Sequence, residues 1–388
     1  MKNNKFETEA IRTQLERTQF LEHSVPMYLT SSFVFEDAED MRASFAEEKN
    51  RNIYSRYSNP NSSEFIEKVC KMEGAESGFA FASGMAAVFS TFAALLNSGD
   101  HIISAKSIFG STHSLFTQFF PKWNISTSYF DINDLDSVGN LFQSNTKVIY
   151  AESPTNPGVD ILDLEALAAI ARKHNLILII DNCFASPYLQ QPIKFGADLI
   201  IHSGTKLMDG QGRVLAGITV GSSELIDKIY RFSRITGPAL SPFNAWVLSK
   251  SLETLALRVD RHCSNALQLA TFLEDHSKVN WVKYPFLKSH PKYNLAKKQM
   301  KAGGCVVAFE VKGGLEAGKK FFDGIQLLSL SANLGDSRSI VTHPASTTHS
   351  KLSPEERQSV GITDGMVRVS VGLEHIDDII SDIEHALG

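Results

Sequence analysis

Cysteine is scarce in this sequence and never clustered: Cys70, Cys183, Cys263 and Cys305 stand alone, with no CxxC pair. That spacing excludes a zinc ribbon and argues against a disulfide framework, leaving free thiols as the expectation. Long apolar runs are missing too. The strongest, Leu176 to Ile180, is far too short to cross a bilayer, and the opening Met1-Lys2-Asn3-Asn4-Lys5-Phe6-Glu7 has no apolar signal-peptide core. A cytoplasmic protein with no membrane partner is expected. No basic stripe stands out and the net charge is −5, so nucleic acid is not expected as a partner. The twelve histidines form no HExxH pattern, and Pro344 between His343 and His349 spoils a helical metal pair. No metal is expected. A GxGxxG is also lacking, which disfavours a dinucleotide site.

What is present describes a globular chain of more than one packed unit. At 388 residues it exceeds the length at which one hydrophobic core stops growing, and its 43% hydrophobic and 21% charged residues are ordinary for a folded protein. Residues 1–60, rich in Ser, Thr, Asn and aromatics, read as an irregular arm with a short helix over 7–16. From Asn61 helices and strands alternate. A helix over 62–69, a strand at 80–82 and a small-residue helix over 85–96 come first. Apolar runs follow at 101–104, 147–150, 176–181 and 199–203, with a helix over 163–174 among them. Continuous rather than alternating hydrophobicity points to strands buried on both faces. The fold class is therefore α/β, a mostly parallel sheet sandwiched by helices. A long helix over 242–273 leads into a smaller C-terminal α+β domain, with strands at 306–311 and 366–371 and helices over 315–322 and 376–387. The divisions read as 1–60, 61–255 and 256–388. Ligands of such sheets sit beyond the C-terminal strand ends, which makes Glu152, Asp181 and Ser203 to Lys206 neighbours in space.

Several residues there carry chemistry. A lone lysine in a strand-to-loop turn is usually solvated, but Lys206 follows Ser203 and Thr205, whose hydroxyls can bind a phosphate. A lysine amine of lowered pKa condenses with an aldehyde. Asp181 ends an apolar strand, where it serves either as a turn cap or as the partner of a pyridinium nitrogen. Ser83-Gly84-Met85 joins a strand to a helix, offering N–H groups to a phosphate or simply tight packing. Tyr54 and Arg56 lie in the arm, as solvated loop residues or as a phosphate clamp. Arg368 sits inside an apolar strand, where an unpaired charge is costly. It calls for a carboxylate, either from a structural partner or from an amino-acid substrate.

Tyr54-Ser55-Arg56 with Asn59-Pro60, Ala82-Ser83-Gly84-Met85, Glu152-Ser153-Pro154-Thr155-Asn156-Pro157, Asp181-Asn182, Ser203-Gly204-Thr205-Lys206 and His343-Pro344-Ala345 occur in this order. Together they resemble the cystathionine/methionine-metabolism family of pyridoxal-phosphate enzymes, of the aspartate-aminotransferase fold type (fold type I). The likeness runs from about Thr8 to the C-terminus. It implies pyridoxal 5'-phosphate as cofactor in the large domain, Lys206 as its Schiff-base lysine and Asp181 as the partner of its ring nitrogen. Gly84, Met85, Ser203 and Thr205 match phosphate contacts, and Asn156 matches a neighbour of the phenolic oxygen. Tyr54 and Arg56 match residues that reach the phosphate of a neighbouring subunit's cofactor, so a homo-oligomer, a tetramer built of such dimers, is implied. Arg368 matches the ligand of a substrate α-carboxylate, with Ser339 assisting.

Local wording resembles one branch, the O-succinylhomoserine sulfhydrylases: Asp209-Gly210-Gln211-Gly212-Arg213, Gly237 to Trp246, and Ala332-Asn333-Leu334-Gly335-Asp336. The branch implies homocysteine and succinate from O-succinylhomoserine and sulfide, in methionine biosynthesis. Phe109 stands where most members stack a tyrosine on the cofactor, so proton shuttling falls on Lys206. Arg338 replaces a glutamate suited to an incoming cysteine's ammonium, which disfavours that nucleophile. Arg338 or Arg213 is then a candidate for the distal succinyl carboxylate. Ser111 replaces a cysteine typical of methionine γ-lyases. The alternatives are a cystathionine γ-synthase, an O-acetylhomoserine sulfhydrylase, a γ-lyase, or a non-catalytic cofactor-binding protein.

Overall fold

Helix starts are set by local chemistry. Asn59 accepts a hydrogen bond from Asn61 N and Pro60 occupies the first turn, where its missing N–H is no loss, so the helix runs Pro60–Glu73. Ser83 caps Gly84–Leu95 and Asp163 caps Leu164–Lys173 in the same way. The computed structural model describes residues 4–347, 357 and 361–388, so His349 lies outside the described residues.

Among the described residues seven strands form the larger sheet: β1 (Ser77–Phe81), β2 (His101–Ala105), β3 (Ser126–Phe130), β4 (Thr146–Glu152), β5 (Ile177–Asp181), β6 (Leu199–Ser203) and β7 (Gly217–Gly221). Their order is β1-β7-β6-β5-β4-β2-β3. β3, β2, β4, β5 and β6 run parallel, whereas β7 is antiparallel to both of its neighbours. Helices cover both faces. His202 touches Glu73 of the helix Pro60–Glu73, while the adjacent Ser203 meets Gly84 of the next helix. Successive strand residues point to opposite faces, so these two helices lie on opposite sides.

The smaller sheet, of β8 (Val279–Lys283), β9 (Val306–Val311), β10 (Ser329–Leu330), β11 (Ile340–Thr342) and β12 (Met366–Ser370), has the order β10-β11-β12-β9-β8. It is antiparallel except between β10 and β11. Its own core packs Leu269, Phe321, Ile379 and Ile383 against Val307, Phe309, Val367 and Val369.

The structure departs from the sequence reading in several places. The first helix stops at Arg12, four residues short of Glu16. The expected helix over 242–273 is two, Pro242–Leu252 and Leu255–Glu274. Buried Arg258 donates to Ser251 O at 2.9 Å, taking a carbonyl at the end of the first helix. Strand β7 was hidden because glycine at either end weakens the apolar signal.

Candidate active site

The site forms where β4, β5 and β6 end. After Ser203 the chain turns at once: Lys206 N donates to Ser203 O at 3.2 Å and Gly210 N to Lys206 O at 2.8 Å. Arg258 holds the next turn, donating to Leu207 O at 2.7 Å. The Lys206 side chain enters a cavity of about 280 Å³. Its Nζ donates to Asn333 Oδ1 at 2.6 Å. Burial holds its pKa below the ordinary lysine value, opposed in part by Cys183, while the charge of Arg368 adds a smaller lowering. A neutral, nucleophilic amine is thus reached at lower pH than on a free lysine.

Asp181 ends β5 beside Glu152, which ends β4 in register with it. Asp181 Oδ1 accepts from Cys183 N at 3.0 Å, and Oδ2 faces Tyr150 Oη at 3.5 Å. Withdrawal from bulk water raises Asp181 to about 6, against the Cys183 hydrogen bond. Glu152 is pushed well above the usual carboxylate range by burial and then by the charge of Asp181. Its Oε1 accepts from Phe109 N at 2.5 Å, which holds the Phe109 ring at the cavity wall. A carboxylate as poorly solvated as Asp181 gains strongly from a cationic N–H, so it suits a protonated ring nitrogen.

Ser83 uses its hydroxyl to cap Ala86 N at 3.1 Å. Gly84 and Met85 then begin the helix with backbone N–H groups that have no helical acceptor, and both line the cavity. A Cβ on Gly84 would lie 2.8 Å from Ser203 Cβ, so only glycine lets the helix start come this close to β6. With the Ser203 and Thr205 hydroxyls lining the same wall, this end offers the donors that a phosphate needs.

Arg368 on β12 is 3% exposed. It donates to Asn156 Oδ1 at 2.9 Å, Asn333 O at 3.0 Å and Thr342 Oγ1 at 3.2 Å. All three partners are neutral, and its buried Nε has no partner. Burial lowers its pKa to about 10. No structural carboxylate pairs with it among the described residues, which leaves a guanidinium open to a carboxylate ligand.

Lys206, Asp181, Gly84, Met85, Phe109, Asn156, Ser203, Thr205 and Arg368 therefore share one cavity. Other expected residues do not. Ser339 is fully buried away from it: its Oγ donates to Glu374 at 2.9 Å and accepts from Gly372 N at 2.8 Å, so its one proton is spent and it cannot donate to a substrate carboxylate. Arg338 is paired with Asp336 at 2.9 Å and Arg213 with Asp209 at 2.9 Å, and neither lines the cavity. Repulsion of an ammonium by Arg338, and capture of a succinyl carboxylate by either cation, thus have no geometric basis in the chain. Tyr54 and Arg56 line a separate hollow with Phe33 and Phe35, and Arg56 donates to Arg234 O. Reasoning on the sequence assigned no role to Glu152 or Asn333. Glu152 was detectable as an acid at a strand end. Asn333 lies in irregular chain with no periodicity to mark it.

The residues present fit pyridoxal 5'-phosphate: an amine to hold its carbonyl, a carboxylate for its ring nitrogen, and a helix start with hydroxyls for its phosphate. The sequence profile described as "Cys/Met metabolism PLP-dependent enzyme" matches residues 7–388. An O-succinylhomoserine sulfhydrylase of Pseudomonas aeruginosa is 44% identical over 382 residues, 98% of this chain and 95% of that protein. An L-methionine gamma-lyase of Fusobacterium nucleatum is 42% identical over 391 residues, 100% of this chain and 99% of that protein. A candidate O-acetylhomoserine (thiol)-lyase from Campylobacter jejuni, crystallised with N'-pyridoxyl-lysine-5'-monophosphate, superposes with a TM-score of 0.94. It is 37% identical, over 99% of this chain and 100% of that one.

Proposed function

The chain belongs to the Cys/Met metabolism PLP-dependent enzyme family and uses pyridoxal 5'-phosphate, and from that premise we propose that it replaces the succinyl group of O-succinylhomoserine with sulfide, giving homocysteine and succinate. The observation that carries the amino-acid reading is the pair formed by the Lys206 amine and the open Arg368 guanidinium in one cavity. Arg368, braced by Asn156, takes the α-carboxylate. The cofactor, when bound, supplies a carbonyl that condenses with amines and a ring that accepts an electron pair. Lys206 anchors it and, once displaced by the substrate amine, carries the α-proton. Phe109 would stack on the ring when the cofactor is bound, and lacking a hydroxyl it offers no acid–base group of its own. Gly84, Met85, Ser203 and Thr205 hold the phosphate and Asp181 the ring nitrogen.

A small nucleophile is favoured because the cavity's carboxylates are already engaged, Asp181 by the cofactor's ring nitrogen and Glu152 by Phe109 N. Neither is free to receive the ammonium of an incoming cysteine. The succinyl preference rests on the sulfhydrylase likeness, and Ser111 argues against a γ-lyase. The γ-lyase relatives make elimination from methionine the competing reading.

Steady-state rates with succinyl and acetyl esters, each against sulfide and cysteine, test this directly. The succinyl ester with sulfide should give the largest kcat/KM. A larger value for cysteine, or for methionine breakdown, would overturn the assignment. Lys206→Ala should abolish turnover in every pairing.

A further inference from the structure

The free amine of Lys206 donates to Asn333 Oδ1 at 2.6 Å, and Asn333 does not itself line the cavity. The same residue's main-chain oxygen accepts from Arg368 Nη2 at 3.0 Å. Asn333 thus touches both the amine and the guanidinium on which the proposed reaction depends. Its segment is pinned on both sides. Gly335, at φ 72°, lies so near the lysine turn that a Cβ there would meet Leu207 N at 2.8 Å, so no other residue fits. Gly335 N also donates to Ser370 Oγ at 2.8 Å, two residues beyond Arg368 on β12. Leu334 between them is buried.

We propose that Asn333 is a positioning residue for proton transfer: its side-chain carbonyl docks the freed amine of Lys206, while its main-chain carbonyl fixes the arginine that holds the substrate carboxylate. The proposal rests on Lys206 being the proton carrier. In that step the Lys206 lone pair forms the new N–H bond, and the C–H electron pair stays on the substrate. An amide carbonyl accepts a hydrogen bond from the amine before the transfer and from the ammonium after it, so the nitrogen keeps its place through the step. A carboxylate at this position would instead stabilise the ammonium and hold the base protonated. The charged or titratable groups that face Lys206 are Cys183 and Asp181 at the end of β5, Glu152 at the end of β4, and Arg368 on β12. None of them belongs to the Asn333 segment.

The test compares holoenzyme variants by the pH dependence of α-hydrogen exchange of L-norleucine in deuterium oxide, a straight-chain amino acid with no γ leaving group. A second profile follows the rate at which the full chain, stripped of cofactor, recombines with pyridoxal 5'-phosphate. Asn333→Asp should move the midpoint of both profiles upward by about one pH unit or more, the shift an opposite charge at hydrogen-bond range produces. Asn333→Ala should slow exchange at its optimum by roughly tenfold or more, the scale of a misplaced reacting group, with the unfolding midpoint kept. Unmoved midpoints in Asn333→Asp, or wild-type exchange in Asn333→Ala, would overturn the proposal while leaving Lys206 its role. Exchange that persists in Lys206→Ala would instead remove the underlying reading, and the proposal with it.

Discussion

Single residues in this site are defined by what they leave unsatisfied. Arg368 is a buried cation with only neutral partners among the described residues, a costly state that a substrate carboxylate would relieve. Arg368→Gln should therefore raise KM for the homoserine ester by roughly tenfold to a hundredfold while leaving the unfolding midpoint of the substrate-free enzyme unchanged or higher. A lowered midpoint with unchanged KM would make the arginine structural instead. Asp181 shows the same logic through pH. Folding raises its pKa from 3.8 to about 6, so its contribution favours the folded chain most below about pH 4 and is lost as pH rises through 6. A cationic ring nitrogen against the carboxylate reverses that loss. The cofactor should thus raise the unfolding midpoint of the full chain more at pH 7.5 than at pH 5, and Asp181→Asn should flatten the difference. Equal increments at both pH values would contradict the pairing. Lys206 and Asp181 stood out as candidates because each follows an apolar run at a strand end. Ser339 was misplaced because nothing local reveals that Glu374 and Gly372 fold onto its hydroxyl.

At the level of elements, the site depends on helix starts and turns meeting strand ends. Gly84 permits one of these approaches, so Gly84→Ala should push the helix start off Ser203 and weaken cofactor binding on the order of tenfold, the cost of about 1.4 kcal/mol. Titration of the stripped full chain by cofactor absorbance measures it, and an unchanged Kd would show that the approach is not needed. Arg258 joins the turn after Lys206 to the end of the helix Pro242–Leu252. Arg258→Ala leaves the Leu207, Met208 and Ser251 carbonyls without this donor and should cost about 2–4 kcal/mol in urea unfolding. A loss below about 0.5 kcal/mol would mean that other donors replace it. Elements with strong local signals were readable: the helix Ile376–Leu387 and the strand Val306–Val311 lie where their patterns put them. The break near Thr254 and the strand Gly217–Gly221 were not, since one depends on a buried guanidinium and the other on glycines.

For the molecule as a whole, the arm carries the open question. Leu29, Val34 and Ile235 expose large apolar side chains, and Tyr54 and Arg56 lie apart from the Lys206 cavity. Such surfaces mark interaction sites. We propose that a second copy covers them and places Tyr54 and Arg56 at its neighbour's phosphate, within a tetramer of such dimers. Arg56→Ala and Lys206→Ala chains, each inactive alone, should then regain activity when co-expressed, because one site of the mixed pair keeps both residues. No recovery in a verified mixed oligomer would place Arg56 outside the shared site. Among the described residues no helix is long and apolar enough to cross a membrane.

Taken alone, the sequence determined the α/β class and the family, and it marked Lys206, Asp181 and Ser83-Gly84-Met85 as candidates that the fold brings to one cavity. These are short-range features: strand ends, caps and motifs a few residues long. Only the tertiary structure decided which residues are free to act. It left Arg368 open, neutralised Arg338 and Arg213, withdrew Ser339, and set Asn333 against Lys206 across 127 residues of chain. Whether a polar group is satisfied depends on what folds back onto it, and for these residues the deciding partners come from distant segments or from turns with no regular pattern.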